Sequence, residues 1–479
     1  MVFLVGNTMQ KWINTKVVID MTTGDVLQRE GYFYSGPTVE AGADKQALDA
    51  IFKEVYEEGI SEGVHNKNPL RDVLKTETSP FKGREIVKIA HTARNVSPMF
   101  VGPDSAFAEA GQQGYTNMFV DQRKLMSRIR MTYEVMQDST SNEGSFISAR
   151  KSEMQYLIDD NSRKDEHALA QDGRGVLALV DETDPDGNTT LELDAPGGIT
   201  NDSFGNRYAS VGMYIGFVNP STGALRASTT KAKVTAVNSD GTDVTVDAAA
   251  NIGTAVANSD YVVQVANSSV TDVGDTSYEH AWWGMMALVD DGTYRDDYFG
   301  VDRANVPAYS SYVASSVGAL STDVIQRLSD IVDQKLGGSV DLILCHHSTR
   351  RLIIQLTDAD RRYSGANLMK PEPGTVAFKQ GDVPFGGVPV RAIRDFPLDV
   401  MMFLDVKRSG LKEYVSEPGK WVDEDGQVLL RVGAGTSARD AFEAWYRIRK
   451  QYFLEFPAYC ARLDGITGQS LVIQRVAGS

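Results

Sequence analysis

The feature that most constrains the fold is a long, highly charged segment over residues 145–170. Apolar residues recur along it at the spacing of one helix face, and charged residues fill the other faces; the apolar set is Ile147, Met154, Leu157, Ile158, Ala168 and Leu169. The pattern predicts a mostly solvent-flanked helix of roughly 38 Å at about 1.5 Å per residue. Gly173 and Gly175 follow it and predict its end.

A long strand is predicted just before this helix. Leu125, Ile129, Met131, Tyr133 and Val135 alternate with polar residues, which is the period of a half-buried strand. The chain is therefore expected to pass from a strand over residues 125–135 into the helix, and the two elements together predict the centre of a domain.

Composition and charge exclude several classes of protein. The chain has 479 residues, 42% of them hydrophobic, which suggests about two to four domains. A net charge of -16 argues against broad nucleic-acid binding, because neutralising phosphates needs clustered Lys and Arg. Neither a signal peptide nor a membrane span is indicated. The two cysteines, Cys345 and Cys460, indicate neither a disulfide framework nor a cysteine zinc site.

The N-terminal region is predicted to be an extended arm followed by a helix. Residues 1–40 mix short apolar runs with turn residues, which suits an arm lying on a partner better than a compact domain. Residues 43–59 are predicted to form a helix, with apolar side chains on one face and Asp44 near its N-terminal end.

A strand, a long loop and a second strand give the first indication of assembly. Residues 85–91 have the pattern of a strand that would pair with the run at 119–135. The connection over residues 94–118 is far longer than a hairpin turn needs. An isolated two-stranded hairpin buries too little surface to be stable in water. We therefore expect this flap to lie on another subunit, in an obligate assembly.

Residues 177–279 differ in composition from the rest of the chain. Charged residues become sparse, and alternating runs at 230–237, 243–247 and 260–266 are separated by turns. This predicts a small all-β module, a barrel or a sandwich, inserted into a host domain. The module contains no histidine, so nothing in it suggests catalysis.

The remainder of the chain predicts a mixed α and β region. A helix over residues 322–336, capped by Ser321 or Thr322 and stopped by Gly337, precedes a buried strand at 340–345 and a helix at 349–356. Further strands are predicted at residues 389–393, 401–404, 411–415, 427–432 and 442–456. The last of these is a candidate to pair near the long helix.

No pattern indicates catalysis, a cofactor or a metal. His346 and His347 adjoin Cys345, but neighbours on a strand point to opposite faces and would not converge on one ion. Neither a phosphate-binding loop nor a nucleophile elbow occurs. Two carboxylate pairs are expected to be solvated loop residues in so acidic a chain: Asp290 with Asp291, and Asp358 with Asp360. The chain is therefore predicted not to be an enzyme.

Candidate contacts between subunits lie in the flap and the arm. The flap strand has a basic face without interleaved aromatic residues, so it favours contact with an acidic neighbour over nucleic acid. The candidate residues are Arg123, Lys124, Arg128, Arg130, Phe100, Phe107, Tyr32, Phe33 and Tyr34.

The order of these parts resembles that of the major capsid proteins of tailed double-stranded DNA bacteriophages, which share the Hong Kong 97-like fold with encapsulin shells. The resemblance covers nearly the whole chain and rests on order and spacing. It is carried by the N-terminal arm, the strand at 123–135 leading into the helix that ends at 165–173, and residues 300–309, 342–351, 385–390 and the alternating C-terminal strand.

The resemblance implies an α+β fold with several parts. They are an N-terminal arm with a short helix (1–70), an elongated loop (84–136), the spine helix of a peripheral domain (137–176), an inserted β-barrel-like domain (177–279), a connection in the peripheral domain (280–319), an axial domain (320–424) and C-terminal strands of the peripheral domain (425–479). No scaffolding-like helical segment precedes the arm, and residues 90–122 contain no lysine for covalent lysine–asparagine cross-linking.

The function implied is self-assembly, as hexamers and pentamers, into an icosahedral shell around double-stranded DNA. The protein would belong to the virion and assemble in the host cytoplasm. Implied partners are further copies of the chain, a separate scaffolding protein, a portal, a decoration protein and the packaged DNA, which is contacted non-specifically; no membrane is involved. The acidic balance leads to the hypothesis that the inner wall does not adhere to DNA, and a strongly positive lining throughout would contradict it.

Two alternatives stay open at this point. An encapsulin-like compartment has the same fold and a different content, so DNA or a co-purifying enzyme inside the shell distinguishes the two. A metal-dependent enzyme using His346 and His347 predicts instead that His347→Ala abolishes a turnover and leaves assembly intact.

Overall fold

A computed structural model describes residues 2–5, 8–13, 17–20, 26–29, 75–77, 85–138, 149–181, 189–199, 204–226, 231–247, 256–267, 270–361, 383–422, 429–432 and 439–468. The chain divides into two compact units, Met1–Gly63 and Val64–Ser479. None of the helices in the described part is both long enough and apolar enough to cross a membrane.

The described part of the first unit is a four-stranded antiparallel sheet. Its strands follow one another in the chain: β1 Val2–Val5, β2 Thr8–Ile13, β3 Val17–Asp20 and β4 Val26–Arg29. Between residues 2 and 29, a sheet therefore stands where the sequence predicts an extended arm. The helix predicted over residues 43–59 lies outside the described residues, as do Tyr32, Phe33 and Tyr34.

The second unit begins with strands that lead into the long helix. These elements are β5 Lys75–Glu77, β6 Glu85–Ala93, β7 Gly114–Asp121, β8 Arg123–Thr132, α1 Tyr133–Asp138 and α2 Ala149–Ala170. Strand β8 alternates as predicted, with Ile129 and Met131 buried. It ends at Thr132, however, and Tyr133 and Val135 are about half exposed because they belong to helix α1.

The long helix α2 is confirmed, and it is more buried than its sequence predicts. No described residue from 161 to 170 is fully exposed, and the polar side chains of Asn161 and Asp165 are buried. The prediction of a mostly solvent-flanked helix is therefore wrong for its C-terminal half. The helix stops at Ala170, and both Gly173 and Gly175 then adopt the positive φ that favours glycine.

Six strands form a closed barrel in the order β10-β13-β12-β11-β14-β9. They are β9 Val176–Val180, β10 Thr190–Asp194, β11 Tyr214–Val218, β12 Ala232–Val237, β13 Asp243–Val246 and β14 Tyr261–Gln264. Their inward side chains form an apolar core of their own, including Leu191, Phe217 and Val244. Of the two architectures that the sequence left open, this part of the chain has the barrel.

The chain enters and leaves the barrel at neighbouring points. The Glu279 backbone N–H donates to the Arg174 carbonyl at 2.7 Å. The Ser277 hydroxyl donates to the Gly175 carbonyl, also at 2.7 Å. A segment whose two ends meet in this way interrupts its host at a single place.

A short connection then leads from the barrel to helix α4. Its elements are α3 Met285–Leu288, β15 Asp297–Tyr298, β16 Val301–Asp302, β17 Tyr312–Ala314, β18 Gly318–Ala319 and α4 Thr322–Leu336. Helix α4 matches its prediction: the Ser321 side chain accepts from the Val324 N–H at 3.3 Å, and Gly337 ends it with φ 71°.

The C-terminal third completes two sheets. Its elements are β19 Leu342–Cys345, α5 His347–Arg361, β20 Val383–Phe385, β21 Val388–Ala392, β22 Met401–Leu404, α6 Val406–Ser409, β23 Leu411–Trp421, β24 Leu430–Arg431, β25 Ala441–Leu454, β26 Cys460–Leu463 and β27 Ile466–Thr467. Strand β22 has its predicted bounds, whereas α5 begins before residue 349 and β23 runs beyond residue 415.

The two sheets organise the unit differently. The six-stranded sheet has the order β17-β26-β22-β19-β21-β20, and α4 and α5 contribute to its apolar core. In the other sheet β25 lies between β23 and β8, with Ala441 opposite Thr132. The C-terminal strand thus pairs next to the long helix, as predicted. The predicted pairing of residues 85–91 with 119–135 is right for β7 and wrong for β8.

Candidate inter-subunit surface

The two strands β6 and β7 form a hairpin that has a different environment on each face. Val87 lies opposite Phe119 and His91 lies opposite Tyr115, so these pairs share one face of the ribbon. The other face carries Ala90, Met118 and Val120, which are all buried in the main core of the unit.

The outer face of the hairpin is apolar and uncovered. Ile89 is 73% exposed and Tyr115 is 65% exposed, and Val87 and Phe119 are each about half exposed. Adjacent apolar residues on one face of a ribbon make a continuous patch rather than scattered surface positions. Such patches on soluble proteins mark interaction sites.

The loop that joins the two strands carries further exposed apolar side chains. Phe107 is 88% exposed and Phe100 has no measurable burial. Val96, Met99 and Val101 in the same loop are also exposed. Both predicted contact phenylalanines therefore lie at the tip of the hairpin without cover from their own chain.

The root of the hairpin is attached firmly to the core. The Phe119 N–H donates to the Phe299 carbonyl at 2.9 Å. The Lys88 ammonium lies 4.6 Å from the centroid of the Phe453 ring and 3.7 Å from the Glu455 carboxylate. An anchored root and an uncovered tip are the arrangement expected of a segment that completes its packing on another molecule.

The basic residues of β8 divide into two groups. Arg123 points into its own chain, where its guanidinium donates to the Glu279 carbonyl at 2.6 Å and the Ala281 carbonyl at 2.7 Å. The Arg123 guanidinium is therefore bound within its own chain. Lys124, Arg128 and Arg130 lie on the exposed face of the strand, and the last two share Glu443 at 3.7 and 4.0 Å.

The histidine pair does not form a metal centre in the described residues. His346 is buried, and its Nδ1 lies 2.8 Å from the Ser348 hydroxyl. The rings of His346 and His347 are 5.8 Å apart and almost perpendicular. Burial lowers the pKa of His346 to about 3. No group of three His, Cys, Asp or Glu residues in the described part of the chain converges to hold a metal ion.

One carboxylate expected to be solvated is in fact buried. Asp290 has no exposed surface, pairs with Arg462 at 3.2 Å and accepts from the backbone N–H groups of Tyr294 and Arg295 at 2.9 Å. The prediction was wrong because charge composition reports on the average acidic residue, not on this turn. The side chains of Asp358 and Asp360 lie outside the described residues. Both cysteines are free and buried, and burial raises the pKa of each thiol to about 12.

The sequence reasoning missed a buried polar cluster around Lys450. Its ammonium lies 2.5 Å from Asp165 Oδ1, 2.8 Å from Glu413 Oε1 and 2.7 Å from the Tyr452 hydroxyl. A signal was present, since Lys450 occupies a position of the apolar face of β25 and Asp165 falls on the apolar stripe of α2. A charged residue on an apolar face is a candidate for burial with a partner.

Comparison with known proteins identifies the fold. Neither a protein-family model nor a curated protein matches the chain. A chain of the capsid asymmetric unit of cyanophage A-1(L) matches with a TM-score of 0.53 at 10% identity, covering 89% of this chain and 100% of that chain. A chain of the capsid of the native GTA particle matches with a TM-score of 0.45 at 11% identity, covering 89% and 100%.

A chain of the holo-SrpI encapsulin complex from Synechococcus elongatus PCC 7942 matches with a TM-score of 0.41 at 10% identity, covering 91% and 100%. The cyanophage match, at so low an identity, shows a shared fold. The chain thus has the mixed α and β fold of Hong Kong 97-like capsid proteins, and this part of the fold prediction is confirmed.

Proposed function

We propose that this chain is the major capsid protein of a tailed double-stranded DNA bacteriophage, which assembles as hexamers and pentamers into an icosahedral shell. The observation that carries the proposal is the hairpin of β6 and β7, which presents an apolar face and tip with no cover from its own chain, on a capsid fold. A monomer leaves this surface in water, whereas a shell covers it with neighbouring copies.

The parts of the fold fit the parts of such a subunit. The hairpin is the proposed elongated loop, α2 with the sheet of β8, β23 and β25 is the proposed peripheral domain, and the sheet with α4 and α5 is the proposed axial domain. The barrel is the proposed inserted domain, because its two ends meet at residues 174–175 and 277–279. Many wide contacts of modest strength then sum to a stable shell.

Charge supports the same proposal at the hairpin's neighbouring strand. Lys124, Arg128 and Arg130 are exposed on β8 in a chain of net charge -16. In the proposed shell, this basic strip on one copy contacts the acidic surface of the next copy. The opposite charges accelerate the association of the two copies and fix their relative position. Scaffolding, portal and decoration proteins are proposed as further partners, with packaged DNA contacted non-specifically.

Electron micrographs of the purified full chain test the proposal. We expect closed shells or ring-shaped capsomers at high protein concentration, and shells isolated from infected cells should contain double-stranded DNA. Single molecules at all concentrations would contradict the shell. Shells holding a co-purifying enzyme in place of DNA would identify a cargo compartment instead.

A further inference from the structure

One basic and two acidic side chains converge in the interior near the C-terminal end of α2. Lys450 from β25, Asp165 from α2 and Glu413 from β23 each have side chains no more than 3% exposed. The Lys450 Nζ lies 2.5 Å from Asp165 Oδ1 and 2.8 Å from Glu413 Oε1. The amine and the carboxyl group are thus in direct contact, with a second carboxylate on the same nitrogen.

Aromatic groups surround this contact. The Nζ of Lys450 lies 4.6 Å from the centroid of the Trp282 ring and 4.8 Å from that of Tyr452. The Tyr452 hydroxyl donates to Asp165 Oδ1 at 2.7 Å and accepts from Lys450 Nζ at 2.7 Å. The reacting groups are therefore enclosed by rings, with a hydrogen-bond donor on the carboxyl oxygen.

Proton exchange within the cluster supplies the reactive forms. A proton shift from the ammonium to the carboxylate in contact with it converts this ion pair into a neutral amine and a carboxylic acid. An amine held against a carboxylic acid has the high effective concentration of an intramolecular reaction.

We infer that Lys450 and Asp165 condense to an amide within the chain, with Glu413 as the proton carrier, so that α2 and β25 become covalently joined. This bond is internal to one subunit and does not involve the hairpin of β6 and β7. It goes beyond the proposed function, since it concerns the covalent structure of the subunit whether or not the subunit builds a shell.

The reaction needs no group outside the cluster. The Lys450 ammonium gives a proton to Asp165, and the neutral amine attacks the Asp165 carboxyl carbon to form the Nζ–Cγ bond. Glu413 accepts a proton from the nitrogen and donates it to the departing hydroxyl, which leaves as water when the Cγ–O bond breaks. The products are one amide, one water and Glu413 in its starting state.

Tyr452 assists in this scheme. Negative charge develops on the carboxyl oxygen when the amine attacks, and a hydroxyl donor on that oxygen stabilises it. The Tyr452 hydroxyl already contacts Oδ1 of Asp165.

Mass spectrometry of the denatured full chain tests the inference without any variant. We expect a mass lower than that of the sequence by one water. Trypsin should then yield one branched peptide that joins residues 165–174 to residues 450–462, because an acylated Lys450 is not cleaved. A mass equal to that of the sequence, with separate peptides beginning at residues 165 and 451, overturns the inference.

Two variants of strand β23 separate catalysis from folding. Glu413→Gln keeps the size of the side chain and removes the proton acceptor, so we expect loss of the mass deficit. Glu417→Gln is the matched control. Glu417 lies on the same strand as Glu413, but it binds Arg447 at 2.6 Å and not Lys450. It should keep the deficit. A full deficit in Glu413→Gln would overturn the role of Glu413.

Discussion

Two arginines in the interior bind the backbone of the one-turn helix α3 and its flanks. Arg303 donates to the Ala287 and Asp290 carbonyls, both at 2.5 Å, and Arg462 donates to the Val289 carbonyl at 2.6 Å. A helix this short leaves its last carbonyls without partners inside the helix. The guanidinium groups supply those donors, and Asp290 supplies a countercharge to Arg462.

We predict that Asp290→Asn destabilises the protein. The substitution keeps the shape but removes one of the two carboxylates that contact the buried Arg462 guanidinium and leaves Asp464 at 2.8 Å, so we expect a loss of about 1–3 kcal/mol. Denaturant unfolding followed by fluorescence measures the change. Asp323→Asn is the control: its pair with Arg327 at 2.8 Å is largely exposed, and we expect a loss of less than about 1 kcal/mol. Equal losses would contradict the argument.

His167 makes stability depend on pH. Its ring lies 4.4 Å from the Tyr208 ring at a tilt of 48°, and its Nε2 lies 3.6 Å from Asp395, where α2 meets the barrel and the loop after β21. Burial lowers the pKa of His167 to about 4, although Asp395 opposes this; Arg163, Arg394 and Lys164 disfavour the charged ring further. In the unfolded chain, His167 therefore binds a proton near pH 6.5, whereas in the folded chain it binds one only near pH 4. The free energy of unfolding consequently falls as the pH drops from 6.5 towards 4.

We predict that His167→Gln removes this part of the pH dependence. Between pH 7.5 and pH 5 the wild type should lose about 2 kcal/mol more than the variant. Urea unfolding at the two pH values gives the difference directly, and other titrating groups cancel in the comparison. His280→Gln, at an exposed histidine, serves as the control and should follow the wild type. Parallel curves for wild type and His167→Gln would contradict the assignment.

At the scale of elements, local signals were predictable and long-range pairing was not. Helix α4 has its cap at Ser321 and its stop at Gly337, and β22 is a short apolar run between turns, so nearby residues suffice to define both. The pairing of β8 with β25 joins distant parts of the sequence. An alternating pattern predicts which face of a strand is buried, but it does not predict which strand pairs with it.

The hairpin surface was predictable in kind, whereas the pairing of residues within the buried cluster was not. Phe100 and Phe107 stand out as aromatic residues in a loop of small and polar ones, so their exposure could be expected. Asp165 and Lys450 could not be paired from sequence, because charged residues are mostly exposed and no local pattern names a partner. The direction of Arg123 was missed for the same reason, since its acceptors are carbonyls far along the chain.

The barrel should fold without its host. Its core consists of residues from its own strands, and its ends meet at Arg174 and Glu279. We predict that residues 174–280 expressed alone unfold cooperatively in denaturant, and that the chain with residues 176–276 replaced by a short Gly-Ser linker still folds. Loss of the Tyr208 hydrogen bond to the Asp395 carbonyl at 3.1 Å makes the shortened chain modestly less stable.

Circular dichroism melting of both fragments checks the prediction. The matched control deletes the equal-sized segment from residue 322 to residue 422, which removes strands of the six-stranded sheet and should abolish folding of the remainder. An isolated barrel without a cooperative transition would show that its core depends on the host, and would count against an inserted domain.

At the scale of the whole molecule, the uncovered hairpin is the surface that the proposed assembly would bury. The buried face of the ribbon holds Ala90, Met118 and Val120 in the core, while the outer face and the loop gain cover only from another molecule. Loss of apolar surface to water on association contributes roughly 25 cal/mol per Å² before the costs of association are subtracted. In the proposed shell, many such contacts of modest strength sum to a stable assembly.

We therefore predict that Phe100→Ser combined with Phe107→Ser separates folding from assembly. Both side chains are exposed on the single chain, so the thermal unfolding midpoint should stay within about 2 °C of the wild type. Shell formation should fall at least about tenfold, because each subunit loses two apolar anchors in every contact. Sedimentation velocity and electron micrographs measure this. Glu109→Ser with Gln112→Ser changes the same loop without removing apolar surface and should assemble normally; equal shell yields from both double variants would show that the hairpin tip is not a contact.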